Sequence, residues 1–470
     1  MNWKTILRSL KNKDMQKRLL IVLGIIVVYR FLSVVPIPLA EPTALRDVIN
    51  SVVGSTDFGG FLNLLSGGAL ASFSIVLVGL TPFITASIIS QLLTKAIPRL
   101  EELNKDGESG RKKINQWTRI ASVPLAVIQS IAFIFILRST VLAGNTAVPT
   151  DPTAIEWIIA ITAMTAGAIF LMWLGELITE QGVGQGISLL IFAGIISQIP
   201  SILSSFGTSL FNTEQGALNV FGWFTIPVNP TMFWVVLGIS LFSLGLLYLL
   251  VKINEAQRIV TINYAKRVQG NSNYGGVKSI LPIKLIAAGV IPVIFAVAFL
   301  SLPAFVGQVL QATNNPAYTA IAANLISWFQ APNPGAFTGS TLEAFIYPTT
   351  YFILVILFTY FYTGIVFNSS EIAENLQKQG GFIEGIRPGK STEKYLSRTV
   401  NRLVLFGSVV LGLIAVTPFI AEYLLFHLAG VSNTNLAIGG TGLLIVVSVG
   451  LEALRQINSR ALMVTYDDYK

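Results

Sequence analysis

Ten runs of about 20 mostly apolar residues recur along this chain, and they limit its fold more than any other feature. They lie at 19–36, 73–93, 117–138, 154–175, 186–204, 230–251, 284–306, 348–367, 401–424 and 437–456. A helix rises 1.5 Å per residue, so a run of this length crosses the roughly 30 Å hydrocarbon core of a bilayer. Charged residues make up only 11% of the 470, against roughly 25% in soluble domains. A water-exposed surface is hard to build from such a chain. The expected fold class is an all-α polytopic membrane protein with ten spans. A shorter apolar piece at 61–71 reaches about 16 Å, roughly half a bilayer.

Lysine and arginine set the expected orientation. The net charge is +8, and its placement matters more than its total. A basic tail, residues 1–18, precedes the first run and looks like the start of a signal peptide. No small-residue cleavage site leads from that run into a soluble domain, so it reads as a retained span. Basic residues cluster between spans two and three, six and seven, and eight and nine, while 307–347 holds no Lys or Arg. This alternation puts both termini in the cytoplasm. The chain then divides into spans 1–5 over 19–204, an external loop at 205–229, spans 6–10 over 230–456, and a tail from 457 to 470. Loops 252–284 and 368–399 are long. RIVTINYA (258–265) is β-rich and GNSNYGG (270–276) reads as a turn, so a hairpin is expected. Such loops either lie on anionic lipid or form a docking surface for a large soluble partner.

Several chemistries are disfavoured. There is no cysteine and one histidine, His427, at an outer edge, so no metal site, cofactor or thiol chemistry is expected. EGIRPGKS (384–391) is one residue from a phosphate-binding loop, but Glu384 stands at the first glycine position, its carboxylate would repel phosphate, and no preceding strand is expected. The spans contain no aspartate and no HExxH motif, so enzyme is a poor reading. A broken-helix secondary transporter is a better rival. The only charge well inside a span is Arg30, which either snorkels to the outer surface or pairs with a backbone carbonyl.

Small and flexible residues remain. The second span, FSIVLVGLTPFITASIISQLL (73–93), carries Gly79 and Pro82, and AAGVIPVIFA (287–296) carries Gly289 and Pro292. A proline inside each helix permits a kink, though Gly and Pro are common in membrane helices. GVGQGISLLIFAGI (182–195) opens on two glycines and an amide and then turns aliphatic, which reads as a flexible start to the fifth span.

Seven stretches, in order along the chain, resemble the SecY family, the large subunit of the bacterial protein-conducting channel. They are SGGAL (66–70), the second span, MWLGELITEQGVGQGISLLIFAGI (172–195), INYAKRVQG (262–270), AGVIPVIFA (288–296), NLQKQGGFIEGIRPG (375–389) and GGTGLLIVV (439–447). The resemblance implies two inverted halves of five spans around an hourglass pore. Unfolded chains pass through it, and apolar segments leave sideways into lipid. It implies a pore ring of Leu80, Ile84, Ile187, Ile191, Ile294 and Ile445. Leu80 and Ile84, like Ile187 and Ile191, are spaced i, i+4 and share a helix face. A bulky aliphatic ring excludes water by dewetting and offers no hydrogen bonds to a passing chain. The resemblance further implies a plug over Phe61, Leu62, Asn63, Leu64, Leu65, Ser66, Gly67, Gly68, Ala69 and Leu70. It implies a lateral gate between spans two and three and spans seven and eight, with Thr85, Gln91 and Gln129 as polar members. Implied partners are SecE and SecG homologues, the SecA motor, the ribosome, signal sequences and membrane lipid, in a bacterial plasma membrane.

Three positions depart from the family pattern. Ile286 replaces a gate asparagine, which implies a more apolar gate. Asn271 replaces an arginine after INYAKRVQG, and Glu384 replaces a proline. Docking is therefore carried over onto Lys266, Arg267 and Arg387 alone. An accessory SecY-like channel with few substrates is an alternative to the housekeeping role.

Overall fold

Apolar runs become helices here because a chain in lipid must satisfy its backbone internally. The computed structural model describes residues 13–37, 69, 72, 74–137, 153–211, 218–220, 224–226, 229–264, 267–269, 272–274, 278–313, 316–329, 342–429, 442 and 445–457. In the first half lie α1 (Lys13–Leu32), α2 (Thr81–Ala96), α3 (Pro98–Lys105), α4 (Glu108–Leu137), α5 (Ala154–Gln181) and α6 (Gly186–Phe211). A small hairpin follows, β1 (Leu218–Val220) and β2 (Phe224–Ile226), and then α7 (Pro230–Glu255). Next come β3 (Gln257–Tyr264), β4 (Arg267–Gln269), β5 (Ser272–Tyr274) and β6 (Lys278–Lys284). The second half continues with α8 (Ile291–Ala312), α9 (Pro316–Phe329), α10 (Ile346–Val366), α11 (Ser369–Lys378), β7 (Gly381–Ile383) and α12 (Lys390–Ala429). A last helix, α13, runs over 445–457.

Each of the ten apolar runs overlaps a helix among the described residues. Among the described residues, six helices are long and apolar enough to cross a membrane. Two expected spans start later than the sequence suggests. α2 begins at Thr81 and α8 at Ile291, with turns over 75–80 and 285–290 before them. Gly79, Pro82, Gly289 and Pro292 therefore do not kink helices. Each glycine lies in a turn, and each proline sits in a first helical turn, where its missing N–H costs nothing. α12 starts at Lys390 rather than 401 and is 40 residues long.

The expected hairpin is present, β3 pairing antiparallel with β6 from Gln257↔Lys284 to Asn263↔Lys278. The other long loop joins it: β7 pairs with the free edge of β3 through Ile262↔Ile383 and Tyr264↔Gly381. The resulting sheet packs Val260, Ile283 and Ile383 against Leu396, Val400 and Val404 of α12. Those helix residues are spaced i, i+4, i+8 and share one face. A strand thus does precede EGIRPGKS, contrary to expectation. It is a three-residue antiparallel edge strand, and Glu384 still occupies the glycine position of a phosphate loop.

The main core draws on both halves. It includes Leu80, Ile84, Leu190, Ile191, Val290, Val293, Tyr351 and Ile445. α8 meets α2 and α4, which joins the halves. Arg30, the in-span charge, donates to Ser33 Oγ at 3.2 Å, while Ser33 Oγ donates to the Arg30 carbonyl at 2.7 Å. The His427 ring lies 4.5 Å from that of Tyr423.

Candidate functional site

The two turns before α2 and α8 are built alike. GLTPFI (79–84) and GVIPVI (289–294) share Gly-x-x-Pro-x-Ile. Gly79 has φ 62° and Gly289 φ 63°, a left-handed conformation that favours glycine. The next residues match as well: Leu80 at φ −88°, ψ −2° and Val290 at φ −89°, ψ −11°. Ile84 N–H then donates to the Leu80 carbonyl at 3.0 Å and Ile294 N–H to that of Val290 at 3.3 Å. The internal symmetry of the fold is written locally in six residues.

The start of α6 is close-packed, not flexible. Gly182 caps α5 in a left-handed conformation, φ 67°. The Thr179 hydroxyl donates to the Gly175 carbonyl at 2.9 Å and accepts from Gly186 N–H at 2.9 Å. A Cβ on Gly186 would stand 1.7 Å from the Gly175 oxygen. The α5–α6 crossing therefore requires a residue without a side chain. Ser188 Oγ donates to Gln185 Oε1 at 3.0 Å. α13 packs antiparallel on α6, with Ala453 near Gly184 and Gly450 near Phe192.

α2, α4, α5, α6, α8 and α10 line a cavity of about 390 Å³ that mixes polar and apolar side chains. Ser90, Asn115, Arg119, Glu176 and Glu180 are among its polar lining. Arg119 and Glu176 form an ion pair that ties α4 to α5. Ile84, Ile187, Ile191 and Ile294 line it as well. Of the six expected ring residues, these four meet in one cavity. Leu80 and Ile445 belong to the same buried cluster, at 6% and 4% exposure, without lining it.

Between the halves, the rings of Phe133 of α4 and Phe305 of α8 pack at a tilt, with centroids 5.9 Å apart. Sequence reading missed this pair, because apolar aromatics in membrane helices carry no distinguishing signal. The three expected polar gate residues share one property. Thr85 Oγ1, Gln91 Oε1 and Gln129 Oε1 are buried without a hydrogen-bond partner among the described residues. Such an oxygen costs about 1–3 kcal/mol in desolvation. Ile286 is buried at 7% in the main core.

Arg387 is exposed in the loop between β7 and α12, where its carbonyl accepts from Thr392 Oγ1 at 3.0 Å. The backbone of Arg267 is in β4, paired with Tyr274. Lys266 lies outside the described residues, as do Phe61–Gly68 and Leu70 of the expected plug. Ala69 is described and fully buried, and its carbonyl accepts from Ser74 N–H at 2.9 Å.

A second polar cluster sits where α7, β6 and α13 meet. Arg455 donates to the Asn254 carbonyl at 2.9 Å, and Asn254 Nδ2 to Ser448 Oγ at 3.2 Å. Burial and the neighbouring Arg455 push the Lys284 ammonium below the usual lysine range, with Glu452 opposing.

Paired helical halves of apolar spans, joined across a seam beside a cavity of mixed polar and aliphatic lining, define a polytopic membrane protein. The family model described as SecY matches residues 74–454. The chain is 40% identical over 467 residues to the protein translocase subunit SecY of Streptomyces scabiei, covering 98% of each chain. It resembles the solved structure of a SecY protein whose plug domain stabilises the closed state of the translocation channel, with TM-score 0.59 and 20% identity over 93% of this chain and 90% of that one. It also resembles Sec61 in the canine ribosome–channel complex from the endoplasmic reticulum, with TM-score 0.53 and 18% identity over the same shares. The chain belongs to the SecY family and is a subunit of a protein-conducting channel, a multi-pass membrane protein.

Proposed function

We propose that this chain is the passive central subunit of a bacterial plasma-membrane translocase, with both termini cytoplasmic and no catalytic activity of its own. Unfolded secretory chains enter the cavity and cross a ring of Leu80, Ile84, Ile187, Ile191, Ile294 and Ile445. One observation carries this reading: four of those side chains, from α2, α6 and α8, line one cavity together with polar groups of α2, α4 and α5. Water and ions meet a surface with nothing to solvate them. The cysteine-free sequence permits a direct test. Cysteines at Ile187 and Ile191 should crosslink to a stalled precursor, and cysteines at the exposed, α1-borne Leu20 and Leu23 should not. Equal labelling of both pairs would sink the ring.

The lateral gate is the seam between α2 and α4 on one side and α8 and α10 on the other. The unpaired oxygens of Thr85, Gln91 and Gln129 supply its polarity, and Ile286 leaves its opposite wall apolar. Residues 61–70 form the plug. The sheet and α12 form the cytoplasmic platform. The canine Sec61 neighbour is a ribosome-bound channel, which supports a ribosome as one partner; a SecA motor is the other. Exposed Arg387, with Lys266 and Arg267, suits acidic protein or rRNA phosphates. SecE and SecG homologues complete the complex. An accessory channel for few substrates is the second reading, and the buried Ile286 favours it.

A further inference from the structure

We infer that Gly167 and Gly407 are positioning residues that hold the pore ring sealed. This inference rests on the ring proposed above. In each half, a glycine of a long helix receives the backbone carbonyl of the turn that leads into a helix bearing a ring residue, Ile84 of α2 or Ile294 of α8. A Cβ on Gly167 of α5 would stand 2.2 Å from the Ile75 oxygen, and a Cβ on Gly407 of α12 would stand 2.5 Å from the Leu285 oxygen. Ile75 precedes Gly79 by four residues, and Leu285 precedes Gly289 by four. The two contacts are therefore one contact, repeated in register by the internal symmetry. Glycine weakens a helix interior relative to alanine, so each mid-helix glycine needs a packing reason, and the seated carbonyl supplies it.

The seats bear directly on the ring. Real Cβ contacts essentially never fall below 3.0 Å, so an alanine must push the turns away by at least about 0.8 Å and 0.5 Å respectively. The obstacle is backbone and cannot rotate aside. The first turn is held by Leu77 N–H donating to the Ser74 carbonyl and Gly79 N–H to that of Val76, both at 2.9 Å, and the second, more loosely, by Gly289 N–H donating to that of Ile286 at 3.4 Å. A push at Ile75 is passed on to Leu80 and Ile84, and a push at Leu285 to Ile294. A dewetted constriction seals by its radius, so a sub-ångström shift of one wall admits water.

The test measures resting anion efflux from phosphatidylethanolamine–phosphatidylglycerol vesicles holding the full-length chain with its co-purifying subunits. G167A and G407A should each raise efflux several-fold. G238A and G245A, at helical glycines with nothing within 4 Å of an added Cβ, should not. I84G and I294G separate the two ideas: if they do not leak, the ring itself is wrong. If they leak while folded G167A and G407A stay at control levels, the seats are wrong. Should both alanine variants fail to accumulate while G238A and G245A accumulate normally, the inference is overturned, because the seat then serves the whole fold.

Discussion

Gly79 and Gly289 hold the same left-handed backbone conformation, φ 62° and 63°, at equivalent places in the two halves. Each lies three residues before a helix-opening proline. Nothing lies within 4 Å of a Cβ on Gly289, so alanine there meets backbone strain and no clash. The cost of G289A should be about 1–2 kcal/mol, with G79A similar. G364A, in α10 with open space and an ordinary φ, should be neutral or stabilising by about 0.5 kcal/mol. Thermal unfolding in detergent ranks the three, and equal midpoints would contradict the assignment.

G186A should be the most damaging glycine change in α6. Its Cβ would fall 1.7 Å from a main-chain oxygen, so α5 and α6 must separate, at a cost of about 3 kcal/mol or more. G184A meets the Leu189 side chain at 2.9 Å, and a leucine can change rotamer. The expected outcome is near-total loss of folded yield for G186A and modest loss for G184A, read by size-exclusion chromatography.

Ile286→Asn adds an amide to a seam with unpaired acceptors. One net hydrogen bond is worth about 1 kcal/mol, roughly a five-fold bias toward the closed gate. Export of precursors with weakened signals should fall by that factor, while strong signals stay unaffected. An unchanged ratio in an export assay would remove Ile286 from the gate.

Two substitutions in the loop sheet should separate docking from stability. Arg387 is exposed, so R387E should abolish motor-driven translocation while leaving the sheet intact to limited proteolysis. Leu396 is fully buried between the sheet and α12, so L396A should cost about 2–5 kcal/mol and open the loops to protease. Motor-driven translocation by R387E at the unsubstituted rate would refute its docking role.

The sequence was most legible where lipid does the selecting. Apolar runs forced helices, and the β-rich RIVTINYA (258–265) announced a strand. Helix starts were less legible, because hydropathy at 73–80 and 285–290 is indistinguishable from that of the helices they precede. Only Gly-x-x-Pro in both places hinted at a shared turn, and a proline in an apolar run reads first as a kink. The partnership of β7 with β3 was invisible, since three residues carry no period. The proposed aliphatic ring rests on family resemblance in the sequence, because an isoleucine facing a pore and one facing lipid are chemically the same. The glycines at 184 and 186 looked like freedom of movement, yet Gly186 marks where two backbones touch and Gly184 packs against the Leu189 side chain.

The length of α12 has a mechanical consequence. Its 40 residues make a rod of about 60 Å. Near one end it is gripped by the sheet at Leu396, and eleven residues further on it presents Gly407 to the Leu285 carbonyl. That separation is about 16 Å, so a tilt of roughly 5° pivoting at the sheet swings Gly407 by about 1.4 Å. A tilt of the helix at the sheet thus grows along its length and reaches the Leu285 carbonyl as displacement, without any side chain changing its chemistry.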